Sequence, residues 1–554
     1  MKRNILVIIA ICAIATAMAK VPEKDAVYHL ISKSYTLNAD GSTEFRKHSE
    51  LQIFTRMTFD HFGETFITYN PDFQELIINE AYTVRKDGSK VETPANAFNP
   101  MLPEGCAKCG RLNGIRTMVV THTALEYDAA IVLDYTIRSK NFFFQELLEK
   151  VDLQEEVPVE KYVVSVSTPD YKPAKFRLNG ENLNFTKSES ADKDRATTVY
   201  TFSNLPERPT DEYLFPSALA SLAFYTMDNA ESLVGRIAQQ NSMRKFDNQA
   251  ITDFFRSRFT EEMSDMDKIL SVRDYIHDYI RTNTVDAKVL NYMFASPQQV
   301  WRNNCALPIE KDILLAGALQ SLGYDAQLAF PVNVLASGLE SVVRVSLNGA
   351  VAFISADRPE ELNLAAFLAP ATLILQDGKT DEVLFQPVYV VRAAEIVLEK
   401  GNLENPAVKM QQKVVSPRMN CLQPHETGAT EVSVSRLRNN YYELTIDDGN
   451  YGTQVRSENI HNDRTYAVNT GDSYEKYTYT VTLPAGARCL TKPAHKEITV
   501  GDARLLIDVQ VDGRTVTIER QLSLPPEGVS AKNVKKFKTL MGAWDAPVRI
   551  VVSE

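Results

Sequence analysis

Between Gln299 and Asp357 the chain reads without interruption as loop, helix, strand and two-strand hairpin, and this succession constrains the fold more than any other stretch. The loop is QVWRNNCALP, the helix IEKDILLAGALQSLG, the following strand YDAQLAF and the hairpin SVVRVSLNGAVAFISAD. Pro308 suits a first helical turn, where its missing N–H would have no partner anyway, and Gly323 supplies a left-handed stop. Ser296-Pro297 opens the preceding short helix by the same device. Asn348-Gly349 fits a two-residue hairpin turn, which needs positive φ at both positions. Cys305 thus lies just ahead of a buried helix, and Asp357 just after the hairpin.

The flanking regions have a different period. From Val27 to about Asn204 apolar and β-branched residues alternate, with Asp40-Gly41, Asp87-Gly88 and Asn179-Gly180 placed as hairpin turns, which predicts an antiparallel β-sandwich. Pro206, Pro209 and Pro216 then fix φ and remove donors, so a boundary is expected there. In MDKILSVRDYIHDYI the period is about 3.6: Ile269, Val272, Ile276 and Ile280 share one face, and Asp265 is the expected cap. Beyond about Asp381 strands return, notably ARLLIDVQV and RTVTIERQLSL around Asp512-Gly513, followed by a helix capped by Ser530 and a strand PVRIVV. The expected architecture is multidomain α+β: a signal peptide over residues 1–19, an antiparallel β-sandwich over 20–205, an α+β domain over 206–378 and a β-rich C-terminal domain over 379–554.

A chain of 554 residues, 44% hydrophobic and 24% charged, is long enough for several globular domains. Its net charge of −11 opposes binding to nucleic acid. Lys2 and Arg3, the apolar run Ile5 to Ala15 and Ala17-Met18-Ala19 have the form of a cleaved signal peptide, too short to span a membrane. Ile11 before Cys12 departs from a lipid-attachment signal, so the expected location is periplasmic or extracellular. An oxidising compartment favours disulfides. Cys106 and Cys109 in GCAKCG are expected to pair locally, zinc needing a second ligand pair that is missing. Cys421 and Cys489 form a second candidate pair, which leaves Cys305 as the odd thiol. No phosphate-binding glycine loop, serine elbow or paired-histidine zinc helix is present, so neither cofactor nor metal is expected. The basic face made by Lys532, Lys535, Lys536 and Lys538 reads as a solvated helix surface.

Three segments carry a resemblance: TYNPDFQELIINEAYTVRKDGSKVETP (68–94), ALEYDAAIVLDYTI (124–137) and VWRNNCALPIEKDILLAGALQSLGYDAQLAF (300–330), the last with the pattern EKxxLLxxxLxxxGxxA. The chain resembles a family of secreted Gram-negative proteins in which a β-sandwich of unknown function precedes a transglutaminase-like (papain-like) module and a β-rich tail. That resemblance implies a nucleophilic cysteine at the helix start, a histidine opening the hairpin and an aspartate closing it. Asp357 matches the aspartate position. Glu340-Ser341 stands at the histidine position, with Ser341 next to the strand, and counting back from Leu314-Leu315 reaches Pro308 where the cysteine belongs, three residues past Cys305. His277, the only histidine of this region, reads as a flanking residue on its helix, and Trp301 as a packing residue. A thiol without an imidazole or a helix-end field stays mostly protonated near neutral pH, since its ordinary pKa is about 8.5. The expectation is therefore a degenerate, non-catalytic binding or scaffold protein whose partner is a peptide, glycan or envelope protein. The alternative is an active cysteine peptidase or transglutaminase using Cys305.

Overall fold

The computed structural model describes residues 24–192, 194–243, 248–358, 371–383, 388–399, 403, 406–415, 431–447 and 452–554. The expected signal peptide, Cys12 and Cys421 lie outside these residues. The protein is multidomain and rich in strands.

In the first region the alternating residues build an eight-stranded sheet. Its order is Phe185–Asp192, Arg195–Leu205, Val159–Pro169, Ala26–Leu37, Thr43–Ile53, Ala130–Ser139, Gln74–Val84, Lys90–Glu92. The expectation of a purely antiparallel arrangement is corrected at one place: Ala26–Leu37 and Val159–Pro169 run parallel, Ile31 opposite Tyr162. Parallel neighbours need a long crossover, and here more than a hundred residues intervene, a pairing that local turn signals do not reveal. Two three-stranded sheets cover this large one. One joins Lys175–Asn179, Ser221–Tyr225 and Leu148–Asp152, and the other Glu64–Tyr69, Arg116–Thr121 and Phe98–Met101. On one face of the large sheet the layers close on Ile31, Tyr162, Phe202, Leu222 and Phe224 toward one edge and on Ile67, Val120 and Leu133 toward the other. Asn179-Gly180 is not a hairpin turn, because the strands it joins belong to different sheets. Gly180 has φ +130°, and a Cβ there would stand 2.9 Å from Leu183 and 3.0 Å from Ala220, so close approach explains the glycine better than a turn does. Ser221–Tyr225 returns to this region after the prolines, beyond the expected boundary at 205.

The middle region packs the helices Ala230–Ala238, Gln249–Arg256, Asp265–Tyr279, Pro297–Asn303 and Pro308–Leu322 against a five-stranded sheet. Ser264, one residue before the expected cap, closes Asp265–Tyr279 in a reciprocal capping box with Asp267. Ser296 caps Pro297–Asn303, and Gly323 ends Pro308–Leu322 at φ +101°. Asn348 and Gly349 turn at φ +52° and +82° between Val342–Leu347 and Ala350–Ile354. Trp301 packs its ring 5.0 Å from Phe254 and 5.7 Å from Phe255. Cys106, Cys109, Leu112 and Ile115, from the first region, are part of this same core.

The last region sets a six-stranded sheet and a four-stranded sheet around the helix Val534–Asp545. That helix buries Val534, Phe537, Leu540, Met541 and Trp544. Among the described residues no helix is long and apolar enough to cross a membrane.

Candidate functional site

Helix Pro308–Leu322 is buried from Ile309 to Leu319, with Pro308 alone exposed in its first turn. Three consecutive charged residues lie in that buried stretch: Glu310 is 0% exposed, Lys311 2% and Asp312 2%. Ionised groups out of water are costly unless paired and hydrogen-bonded. Each of the three finds a different partner.

Glu310 accepts both carboxylate bonds of Arg111, at 2.5 and 2.6 Å from one guanidinium nitrogen. It also accepts the backbone N–H groups of Ala295 at 2.7 Å and Leu307 at 2.9 Å. Lys311 donates to the carbonyl of His277 at 3.3 Å. Burial lowers its pKa, against the opposing pull of Asp357, Asp312 and Asp278. Asp312 accepts from Ser341 Oγ at 2.8 Å, Ser355 Oγ at 2.9 Å and the N–H of Ala356 at 3.0 Å. Desolvation nevertheless pushes its carboxyl up to about 7, a shift that Asp357 reinforces.

The GCAKCG loop of the first region closes the helix start from outside. Cys109 is disulfide-bonded to Cys305 across 196 residues of sequence, with Cα atoms 5.6 Å apart. Arg111 follows two residues later in the same loop. The backbone holds Cys305 as well: Arg281–Thr282 pairs in parallel with Cys305–Ala306, and Asn283 N–H donates to Ala306 at 2.8 Å. Cys305 is 4% exposed.

These contacts correct the expected cysteine pairing. Cys106 and Cys109 do not bond each other, and Cys305 is not the spare thiol. Cys106–Lys108 is a single tight turn in which the Cys109 N–H donates to the Cys106 carbonyl. The two sulfurs then take separate directions: Cys109 goes to Cys305, while Cys106 stays a free, fully buried thiol with the Asn283 amide 3.7 Å away. Burial raises the pKa of that thiol. Cys489 is also a free thiol, donating to the Thr491 carbonyl, and its candidate partner Cys421 lies outside the described residues.

Of the residues singled out in sequence, Ser341 and Asp357 meet around Asp312. Asp357 is half-buried, its N–H donating to Ser355 Oγ at 3.1 Å and its Oδ1 accepting from Thr282 at 3.4 Å. Thr282 pairs with Ala306, so a short strand ties Asp357 to the segment carrying Cys305. His277 belongs to the same cluster, not to a detached surface. Its Nδ1 lies 3.0 Å from the Ala356 carbonyl, which only accepts, so Nδ1 carries the proton in this contact and Nε2 of the neutral ring is left as acceptor. Arg111, Glu310, Lys311 and Asp312 were missed as site residues. Their signal in sequence is the triplet Glu-Lys-Asp inside an otherwise apolar helix. Among the described residues no three His, Cys, Asp or Glu side chains are grouped to hold a metal ion.

The corner therefore holds the hydrogen-bonded carboxylates of Glu310 and Asp312, an imidazole whose Nε2 has no hydrogen-bond partner among the described residues, and a sulfur engaged in a disulfide, with the Cys106 thiol buried nearby. While that bond persists the sulfur supplies no thiolate, the form that attacks a carbonyl.

Comparison with known proteins agrees with this picture at the level of fold. Residues 39–209 match a domain of unknown function with a solved structure, DUF3857, and residues 442–550 match a second such domain, DUF3858. No curated protein matches the chain. A crystal structure of a candidate protease from Parabacteroides distasonis aligns at TM-score 0.73 and 23% identity, covering 96% of this chain and 99% of that one. A candidate cysteine protease from Cytophaga hutchinsonii aligns at TM-score 0.20 and 8% identity, over 70% of this chain and 93% of that one. An M1 zinc metallopeptidase from Deinococcus radiodurans also reaches 0.20, at 11% identity over 37% and 42% of the two chains. The last two carry no argument at that score. The chain is thus similar to two domain families of unknown function, and it is similar in overall fold to the Parabacteroides protein along nearly the whole of both chains.

Proposed function

We propose that the protein is an exported binding or scaffold protein of the cell envelope, built around a transglutaminase-like module that has lost its catalysis. The observation that carries this reading is the Cys109–Cys305 disulfide, which occupies the cysteine that immediately precedes the central helix in sequence. Pro308 at the first helical position and Ser341 ahead of the hairpin support it, since neither residue supplies a thiolate or a general base. General-base assistance is worth about a hundredfold to ten-thousandfold, so its loss removes useful amide chemistry. In this reading the loop carrying Cys109 and Arg111 fixes the first region to the module and presents the two as one unit to a peptide, glycan or envelope protein.

A second reading has one observation in its favour. His277 has no hydrogen-bond partner for its Nε2 among the described residues, beside the segment leading to Asp357, so reduction of the disulfide would release Cys305 into a region that contains an imidazole. The likeness to a protein described as a candidate protease is in line with this alternative. Casein cleavage and dansylcadaverine incorporation, each assayed on the full chain with and without reductant, separate the two readings. The scaffold reading expects no turnover above the Cys305→Ala background in either state. Activity that appears on reduction and vanishes in Cys305→Ala would replace it with the thiol-enzyme reading.

A further inference from the structure

A cavity of about 500 Å³ lies in the first region, between one face of the eight-stranded sheet, the strand Leu148–Asp152 and the segment around Lys288. That volume falls in the usual range for small-molecule sites. The sheet floor follows from strand register. Lys33 sits directly opposite Lys47, and Lys47 directly opposite Tyr135. Two residues along, Tyr35 faces Phe45, and Phe45 faces Ile137. The period of two puts all of these on one face, so two lysines stand side by side with aromatic and aliphatic groups next to them.

Like charges directly opposite each other on adjacent strands are unfavourable. Here the cost is high because Lys33 has a side chain only 17% exposed. Burial, followed by the charge of Lys47, lowers its pKa to about 8. The nearby carboxylates relieve the pair only in part: Glu155 and Asp152 pull the Lys33 ammonium back toward its ordinary pKa, each by less than burial or Lys47 pushes it down, and the same ammonium lies 5.3 Å from the centroid of the Tyr162 ring. Glu146 is engaged by Lys172 at 2.8 Å and Arg236 at 3.3 Å, and Glu149 by Lys288 at 3.4 Å. Asp152 faces Arg208 at 3.5 Å, and Glu155 reaches Lys33 only at 3.8 Å. Lys47 has no hydrogen bond or ion pair among the described residues. The hydroxyls of Tyr35 and Tyr135, residues only 7% and 9% exposed, have no hydrogen-bond partner among the described residues either, and both line the cavity. Both phenol oxygens open on the cavity and are not sealed away from water, so beside two crowded ammonium groups they offer hydrogen bonds that a ligand can take over from solvent.

We propose that this cavity binds a small organic carboxylate, its oxyanion held by Lys33, Lys47 and the hydroxyls of Tyr35 and Tyr135, and its apolar body lying against Phe45, Ile137 and the opposite wall. One anion there offsets the lysine repulsion and accepts from both phenols. Ammonium–carboxylate bonds in a partly dry site are the strong class of hydrogen bond. The site is separate from the helix start around Cys305, and its occupancy does not depend on whether that corner is catalytic.

Fluorescence titration of the full chain with 11-(dansylamino)undecanoic acid tests the proposal, with dansylcadaverine as a probe of the same fluorophore ending in an amine. The acid is expected to bind with blue-shifted emission, and the amine at least about tenfold more weakly. Lys47→Met is expected to weaken the acid by about tenfold or more, Lys47→Arg to retain it, and Tyr135→Phe to weaken it by a smaller factor. Competition by decanoate against 3-phenylpropionate tells an alkyl body from an aromatic one. Without ligand, Lys47→Met is expected to melt no lower than the parent, because it relieves the repulsion. Equal binding of acid and amine, no binding of the acid up to about 1 mM, or unaltered binding by a folded Lys47→Met variant would each overturn the proposal.

Discussion

Two clusters of charge lie out of bulk water in this molecule, and they are handled in opposite ways. At the start of helix Pro308–Leu322 every charged group is answered: Glu310 by Arg111 and two amides, Lys311 by a carbonyl, Asp312 by two hydroxyls and an amide. On the floor of the first-region cavity Lys33 faces Lys47, and two phenols stand open. A cluster bonded within the protein fixes one arrangement of the chain, whereas one that opens on a cavity leaves bonding capacity for something added. In the proposed reading, the corner that resembles a catalytic site in sequence is the more structural of the two.

The largest expected effect lies in the internally bonded corner. Arg111→Met leaves the buried Glu310 with two amides but no countercharge, and breaking such a pair costs about 3–5 kcal/mol, to be read by urea unfolding. Arg111→Met combined with Glu310→Gln is expected to recover part of that loss; a double variant as unstable as the single one would mean that packing, not charge, is responsible.

Removal of the disulfide in Cys109→Ala/Cys305→Ala comes next, at about 2–5 kcal/mol, since the bridge closes a long loop in the unfolded chain. Unchanged stability would show that the loop is held by its other contacts alone.

Asp312 adds a pH dependence of determined sign. Its folded pKa of about 7 lies above the unfolded value near 4, so the folded state holds the proton more tightly in between. This contribution is fully present below about pH 4 and is lost as pH rises through 7, on the order of a few kcal/mol. His122, buried and lowered to about 4, acts with the opposite sign, because the unfolded chain takes up its proton first as pH falls below 6.5. Subtracting the pH profile of Asp312→Asn from that of the parent cancels His122 and leaves the Asp312 slope. A flat difference between pH 4 and 7 would refute the assignment.

The smallest expected effect belongs to the cluster that opens on the cavity. Lys47→Met without ligand is expected to raise stability by about 0.2–1 kcal/mol, the range of a like-charge cross-strand pair. A clear loss would place Lys47 with the structural residues and erase the contrast.

How much of this was readable depended on sequence distance. Helix Pro308–Leu322, its glycine stop and the Asn348-Gly349 turn were legible because each is encoded within a few residues. The cysteine partner of Cys305 was not. Spacing suggested Cys106 with Cys109, but disulfide geometry depends on where Cβ atoms point once a distant loop has docked, and no local pattern records that. The triplet Glu310-Lys311-Asp312 was visible as letters, yet its burial depends on Arg111, Ser341 and Ser355, and Arg111 lies 199 residues away. The same holds for the parallel pairing of Ala26–Leu37 with Val159–Pro169 and for the cavity, whose floor exists only once strand register is set. Ser341 and Asp357 were singled out by position, and they meet around Asp312, a residue read only as part of a buried helix.

The claim on which the rest stands is that Cys305 is half of a structural bridge. Alkylation of the folded, unreduced full chain with iodoacetamide, followed by peptide mapping without reductant, tests it most directly. The account predicts a cross-linked peptide pair joining Cys109 to Cys305, with Cys106 alkylated only after unfolding. Cys305 recovered as its alkylated derivative from the folded protein would contradict it.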